Sequence, residues 1–402
     1  MSPAAPAPDR DPGCAPYRDP KRYAWLLSAL FPLTVVWHLL RFEQTGWLGW
    51  LFITPLVIYG VLPLLDALIP LDERNPPEAA VRQLEGDPWY PLLTALFVPL
   101  YFGLVLQGTA VAVAHAGEPG VWLGLVLSVG ALSGAAINTA HELGHKHPAW
   151  ERWMARVALA PVAYGHFFVE HNRGHHQRVA TFEDPASARL GESFWAFLPR
   201  TVLGSVRSAW RLERARLAGR NLGPWHWRNQ CLQSWALTVG LFGALTAALG
   251  PWALLFLVLQ AGYGFSLLEV VNYLEHYGLK RATGPNGKPE RCRPEHSWNS
   301  NHVASNVFLY HLQRHSDHHA HPTRRYPALR HFPEAPQLPS GYAGMVLLAY
   351  VPWLWFKVMD PRVLAHYGGD LRRANVQPGT AWATQTQTPD APDAPASPPA
   401  HP

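Results

Sequence analysis

Charge is scarce in this chain: Asp, Glu, Lys and Arg together make up 15% of its 402 residues, where soluble domains carry about 25%. That deficit argues against an ordinary cytosolic enzyme. Cysteine is scarcer still. Cys14, Cys231 and Cys292 lie far apart with no C-x-x-C pair among them, which excludes a disulfide scaffold, a thiolate zinc finger and a built-in thiolate iron site. A secretory signal is missing too, because residues 1–20 hold six prolines and no apolar core, so the N-terminus is expected to stay in the cytoplasm. Against these absences stand 48% hydrophobic residues, 21 histidines and 18 tryptophans, a combination that points to a metalloprotein in a membrane.

Crossing a hydrocarbon core of about 30 Å takes roughly 17 to 25 apolar residues as a helix. Six segments meet that test, in three closely spaced pairs: 24–40 and 46–65, 90–114 and 119–140, 233–249 and 251–268. None contains Asp, Glu, Lys or Arg. A soluble core helix carries charge on its wet face every turn or two, so uninterrupted runs in pairs predict membrane hairpins. The fold class expected is therefore an all-α integral membrane protein of six transmembrane helices arranged as three hairpins. With the N-terminus inside, the outward connections hold one basic residue, Arg41, and the inward segments hold the rest of the 33. By the positive-inside rule this bias places both termini in the cytoplasm. A further run at 341–356, ending in VPWLWF, is short and reads as an interfacial or re-entrant helix. Residues 1–23 and 376–402 read as disordered tails, leaving 24–375 as the folded domain.

Most of the histidines lie between residues 141 and 331, and they cluster. The first cluster is His141-Glu-Leu-Gly-His145, directly after the fourth apolar run. Residues four apart on a helix differ by about 40° in direction, so this pair can share a metal. The second is Glu170-His171-Asn-Arg-Gly-His175-His176, the third His315-Ser-Asp-His318-His319, and His276 follows the sixth run within Asn272-Tyr-Leu-Glu-His276. All sit on the expected cytoplasmic side. Nine imidazoles exceed what one zinc or one iron takes, which implies two metals, and imidazole suits zinc, copper and iron alike. The remaining histidines read as surface or hydrogen-bonded residues: His38, His115, His226, His366 and His401 stand alone, and His147, His166, His296, His302, His311, His321 and His331 complete no cluster. Metal-bound imidazoles usually donate their other N–H to a carboxylate or carbonyl, and Glu142, Glu170, Asp184, Glu269, Glu275 and Asp317 are the acids placed to receive it. Arg207, Arg211, Arg214, Arg216 and Arg220 crowd one segment, which reads either as topology and attraction to anionic lipid or as steering for an acidic partner.

Through HELGHK (141–146), EHNRGHH (170–176), NYLEHYGL (272–279) and LQRHSDHHA (312–320), the chain resembles the membrane-bound alkane 1-monooxygenases, a branch of the membrane desaturase and hydroxylase superfamily. The likeness runs over roughly residues 20–370. It implies a cytoplasmic-side di-iron centre, two iron ions cycling between Fe2+ and Fe3+, bound by His141, His145, His171, His175, His176, His276, His315, His318 and His319. It further implies a bacterial inner-membrane enzyme that hydroxylates the terminal methyl of n-alkanes with O2, taking electrons from a separate rubredoxin and its NAD(P)H-dependent reductase. Membrane lipid is an expected neighbour and nucleic acid is not. An alkane offers no polar handle, so binding rests on apolar burial at about 0.8 kcal/mol per CH2; Trp47, Trp50, Phe52 and Tyr59 in the second run are candidates for setting the depth of a channel, although aromatics at helix ends also form interfacial belts.

Other readings compete. His141-Glu142-x-x-His145 is also the H-E-x-x-H of zinc proteases, with Glu142 as general base, but even with one further ligand it leaves six clustered histidines without a role. A desaturase, a carotenoid hydroxylase or a xylene-type hydroxylase would carry similar ligands. A histidine-rich metal transporter would place its ligands at mid-membrane, whereas these clusters lie outside the apolar runs.

Overall fold

In hydrocarbon every backbone polar group must be satisfied within its own segment, so an uncharged apolar run folds as a helix. The computed structural model, which describes residues 17–386, is helical throughout with isolated β-bridges and no named strand among the described residues. Six helices are long and apolar enough to cross a membrane: Leu26–Thr45, Leu48–Leu68, Trp89–Ala114, Pro119–Gly144, Gln230–Leu249 and Pro251–His276. The chain is a multi-pass membrane protein. Local chemistry sets the ends of these spans. Gly46 closes the first at φ +66°, its N–H donating to Phe42 O over 2.8 Å. Pro119 and Pro251 open the fourth and sixth, where a missing N–H loses nothing, and Asn229 Oδ1 caps the fifth by accepting from Cys231 N.

The fourth and sixth spans run further than their apolar segments, to Gly144 and His276 instead of residues 140 and 268. At 26 residues each is about 39 Å long, longer than the hydrocarbon core, and the projecting turns carry His141 and His276. These two spans form the most extensive helix contact, and the first span packs mainly on the third, so the closest packing does not simply follow the consecutive pairs. Glycine makes the central contact: a Cβ on Gly264 would stand 2.6 Å from Ser133 Cβ, and one on Gly130 would stand 2.8 Å from Gln260 O. A polar thread crosses the same level. Tyr101 Oη lies 2.7 Å from Ser133 Oγ, Ser133 bonds Gln260, and Gln260 Nε2 donates to Pro161 O over 2.6 Å.

The second span is irregular, passing from a 3-10 turn at Leu48–Phe52 to a π-helical turn at Val57–Val61. It ends on buried Asp66, whose carboxylate accepts from Ser305 N over 3.0 Å and from Ser305 Oγ; that pairing is what lets an acid sit there. The run expected at 341–356 folds as two helices, Tyr342–Ala349 and Pro352–His366, bent by 120° at the break, with Pro352 at the corner. Both expected tails need correction at their inner edges. Tyr17 exchanges hydrogen bonds with Gln83, Asp19 accepts from Trp25 Nε1 and Tyr90 Oη, Lys21 pairs with Asp72 at 2.7 Å, and Arg22 pairs with Asp87. At the other end Gln377 N donates to Leu190 O, and Trp382 Nε1 donates to Asp360 Oδ2 over 3.0 Å. Charge and a single tryptophan anchor these segments, which composition alone does not reveal. Residues 1–16 and 387–402 of those tails lie outside the described residues.

Replacing Gly264 by Val forces the fourth and sixth spans apart and should lower stability by about 1–3 kcal/mol, the usual cost of overpacking. Gly243→Ala, where a Cβ meets nothing within 4 Å, should leave it unchanged or slightly raised. Thermal unfolding of both purified variants in the same detergent separates the two outcomes.

Candidate metal centre

Nine histidines from four stretches of chain meet at the ends of the fourth and sixth spans and form two groups. His141, His145, His171, His176 and His318 make the first, and His175, His276, His315 and His319 the second; within each group the candidate ligand atoms all lie within 4.8 Å of one another. His141 and His145 come from the last turn of the fourth span and its C-cap, one above the other, as i,i+4 spacing demands. His315 and His319 repeat that spacing on the short helix His315–Ala320. Neighbours in sequence point about 100° apart on a helix, so they cannot serve one point: His175 and His176 divide between the groups, and so do His318 and His319.

Residues 171–176 obey a different geometry. His171–His175 forms a π-helical turn, whose i→i+5 wrap brings His176 back over His171. Their Nε2 atoms are 3.1 Å apart. An ordinary α-turn would swing His176 well away from His171.

The nitrogens face inward. In the first group Nε2 of His141 and His318 are 2.8 Å apart and those of His318 and His176 3.1 Å. In the second, His315 Nε2 lies 3.2 Å from His276 Nε2 and 2.9 Å from His319 Nε2. Nε2 of His145 and of His175 are buried without a hydrogen-bond partner. Burial, reinforced by the neighbouring imidazoles, holds His145, His171, His176, His315, His318 and His319 well below the usual histidine range, so these rings are neutral at pH 7. Each neutral ring has one N–H and one lone pair, and convergent lone pairs without donors are the arrangement a metal ion satisfies. The residues fit one ion in each group, and the chain binds metal.

A carboxylate orients one ring of the second group, and a second lies close to another. Asp184 Oδ2 stands 2.9 Å from His175 Nδ1 and accepts from Ser187 Oγ over 2.6 Å; burial pushes this carboxyl up, but His175 and Ser187 together hold it at about 2. Glu275 Oε1 lies 3.2 Å from His315 Nδ1 and accepts 2.8 Å from Tyr342 Oη, while His276 Nδ1 faces His296 O at 3.4 Å. The other four expected acids turn elsewhere. Glu142 pairs with Lys146 at 3.0 Å, Glu170 with Arg178 at 2.6 Å, and Asp317 with Arg324 at 2.7 Å. Glu269 accepts from Tyr164, Thr201 and Asn272. For Asp317 the reason is plain in the helix, since it projects from the face opposite His315 and His319. Sequence reasoning missed Tyr342, Ser187 and the His296 carbonyl; a lone tyrosine, a serine and a backbone oxygen carry no spacing signal.

Beside the groups lies an apolar cavity of about 130 Å³. Its walls come from the second, fourth and sixth spans and from residues 305–312 and 342–346, and they include Asn138, one turn before His141, and Tyr342. Tyr59 is part of the lining. Trp47, Trp50 and Phe52 are not: Trp47 and Trp37 pack edge-on against Trp50, and Phe52 sits beside Gly124, at the membrane face opposite the histidines.

Comparison with known proteins then places the chain. The fatty acid desaturase family model matches residues 119–348. Alkane 1-monooxygenase 1 of Alcanivorax borkumensis is 47% identical over 365 residues, covering 90% of each chain. Alkane 1-monooxygenase of Ectopseudomonas oleovorans is 46% identical, again over 90% of each. The xylene/toluene monooxygenase hydroxylase component of Pseudomonas putida is 28% identical over 82% of this chain and 86% of its own.

The chain belongs to the alkane 1-monooxygenase family. It is an oxidoreductase of the monooxygenase type, and this membership accounts for the histidines that a protease would leave idle. As a member of the alkane 1-monooxygenase family it also sets Glu142 against Lys146, where a zinc protease needs that acid free as a base. Of the histidines set aside, none in the described residues enters either group. Buried His311 faces Lys21 Nζ at 2.7 Å and Tyr326 O at 3.0 Å, and His302 bonds Ser300.

Asp184→Asn should lower affinity for the ion of the second group by roughly 10–100-fold, the usual effect of losing an orienting carboxylate, and leave the first group's ion in place. Metal content against a graded chelator, read as two separate losses in wild type, checks this; simultaneous release of all metal from the variant would contradict it.

Proposed function

We propose that this protein hydroxylates the terminal methyl of medium- to long-chain n-alkanes: R–CH3, O2, two electrons and two protons yield R–CH2OH and water. The observation that carries this reading is the almost wholly apolar wall of the cavity, whose four polar side chains each bond a protein group. Tyr59 bonds Tyr263, Asn138 Nδ2 donates to Leu309 O, Ser305 bonds Asp66, and Tyr342 Oη donates to Glu275. A site built for a polar substrate leaves donors or acceptors waiting for it; this one asks only for apolar surface. The names of the alkane 1-monooxygenases to which the chain is similar support the same substrate class.

His141, His145, His171, His176 and His318 would hold one iron, and His175, His276, His315 and His319 the other. Bound iron supplies the redox activation of O2 that hydroxylation of an unactivated C–H bond requires. The chain's own part is positional. Cavity walls bury the alkane at about 0.8 kcal/mol per methylene and keep water from the reacting end. Asn138 and Leu312, each three residues before a histidine of the groups, lie where the cavity comes nearest in sequence to them, and Asp184 fixes the ring of His175. His145 and His176 are half-buried where the other ligands are buried, so electrons from outside arrive most directly there. A rubredoxin reduced by an NAD(P)H-dependent reductase is the proposed donor. The excess of Lys and Arg on the histidine side supports a cytoplasmic orientation in the bacterial inner membrane, where that reductant is made.

Purified protein loaded with iron, given O2, n-octane, rubredoxin, its reductase and NADH, should form 1-octanol. Octane left untouched while xylene is hydroxylated would instead place the chain with the xylene-type branch. His318→Ala and His276→Ala should each retain membrane insertion, lose about one of two irons, and drop to background turnover. A full iron complement in either variant removes that residue from the site. Ala343→Phe, which fills the cavity wall, should shorten the longest alkane accepted, with kcat/KM falling roughly fourfold for each methylene excluded; competition among C6 to C16 alkanes measures it.

A further inference from the structure

The long helix Phe194–Ala218 is not a membrane span, yet both of its ends are fastened to spans at the histidine side. Thr201 Oγ1 donates to Glu269 Oε2 over 2.8 Å near the end of the sixth span, and Tyr273 Oη of that span donates to Glu192 O just before the helix. At the other end Glu213 Oε2 accepts from Gln230 N, the first residue of the fifth span, and Trp210 stacks on Trp235 in that span's second turn. A helix tied at this one level at both ends runs along the membrane plane.

Its surface divides into three sectors at 100° per residue. One is buried in the protein: Phe194, Phe197, Thr201, Ser205, Ser208 and Ala209. The next is apolar and only partly covered: Trp195, which stacks on Tyr350, and Leu203 are each 54% exposed, and Val206 and Trp210 are half-buried. The third, bordering it, holds Arg207, Arg211 and Arg214, whose directions fall within about 60° of one another. All three are exposed, and no ion pair among the described residues involves them; the acids nearest in sequence, Glu192 and Glu213, are already held by Arg200, Arg173 and Arg216. The loop that follows exposes Trp225 and Trp227, at 76% and 70%, immediately before the fifth span begins.

We propose that this helix lies in the membrane interface on the histidine side and that Arg207, Arg211 and Arg214 bind the phosphate-bearing headgroups of anionic phospholipid. An apolar stripe of tryptophan and leucine bordered by a cationic row is the cross-section of an in-plane amphipathic helix, its stripe at acyl depth and its row at headgroup depth. Guanidinium groups suit that depth, because each presents a fork of donors that matches phosphate oxygens. An acidic protein would satisfy the arginines and leave the adjoining stripe uncovered; a lipid surface accounts for both together.

The test uses the full chain in zwitterionic nanodiscs of phosphatidylcholine with increasing phosphatidylglycerol, following the thermal midpoint and the phosphatidylglycerol retained around the protein. Wild type should be stabilised and enriched in phosphatidylglycerol, an effect weakened by salt. Arg207→Gln, Arg211→Gln and Arg214→Gln together should keep the wild-type midpoint in pure phosphatidylcholine and weaken the phosphatidylglycerol response by roughly fivefold for each arginine removed, while the corresponding triple Lys variant should retain most of it. Inorganic phosphate added to pure phosphatidylcholine discs should not reproduce the shift; if it does, the site is one for free phosphate and the proposal falls. It falls equally if the triple Gln variant responds to phosphatidylglycerol as wild type does, or if that variant loses only the binding of an acidic electron-carrier protein.

Discussion

Convergence of nine imidazoles on two points is the constraint to which the rest of the molecule answers. Each ring must shield its ligand nitrogen, because water would otherwise compete for its lone pair, and each must be aimed, because a ligand direction wrong by one residue is wrong by about 100°. Helices meet both demands only where they leave the apolar region. That is why the fourth and sixth spans run past their hydrophobic segments to His141 and His276, and why these two spans touch through Gly130 and Gly264 with no side chain between them. Spacing the spans by even one methyl group would move the two projecting turns, and the histidines with them. The π-helical turn at His171–His175 serves the same need: it lets one short stretch deliver three rings to the two groups.

Much of this was legible in the sequence because it is written in periodicity. Uncharged runs of membrane length, i,i+4 histidine pairs and the basic bias of one set of loops are all local patterns with direct physical meaning. What stayed hidden depends on direction across space. Asp317 stands between His315 and His318 in sequence yet binds Arg324, and Glu142 beside His141 binds Lys146, whereas Asp184, nine residues from His175, reaches it. Nearness along the chain ranked these acids almost backwards. The cavity was misplaced for a related reason: aromatic bulk in the second span drew attention to Trp47, Trp50 and Phe52, but the lining also comes from 305–312 and from 342–346, the latter within a run read as a separate interfacial or re-entrant helix. The inner edges of both tails, read as unfolded from composition, are held by a few charged and aromatic contacts that composition averages away.

The cavity and the histidine groups meet through a small number of side chains that belong to both. Tyr342 lines the cavity with its ring and donates its hydroxyl to Glu275, which lies against His315. Asn138 lines it one turn before His141 and spends its amide on Leu309 O. In each case a polar atom is tied to the protein, so the wall is largely apolar although its residues are not all apolar. This arrangement keeps the space attractive only to hydrocarbon while tying the position of the wall to the position of the ligands.

The in-plane helix completes that logic on the outer side. Arg173, inside the π-helical turn, pairs at 2.5 Å with Glu213 of the helix, and Thr201 of the same helix bonds Glu269, seven residues before His276. One element therefore braces a ligand-bearing segment from each end of the site, the π turn through an ion pair and the sixth span through a hydrogen bond. A brace of this kind is only as firm as its own seat. Its inner face is packed against the protein, but Trp195 and Leu203 remain 54% exposed even though Trp195 stacks on Tyr350, and an apolar face left in water would favour tilting away from the body. Membrane interface is the environment in which that face and the neighbouring arginines are both satisfied at once, so the lipid that seats the helix also helps to hold the π turn and the sixth span in the geometry the imidazoles require.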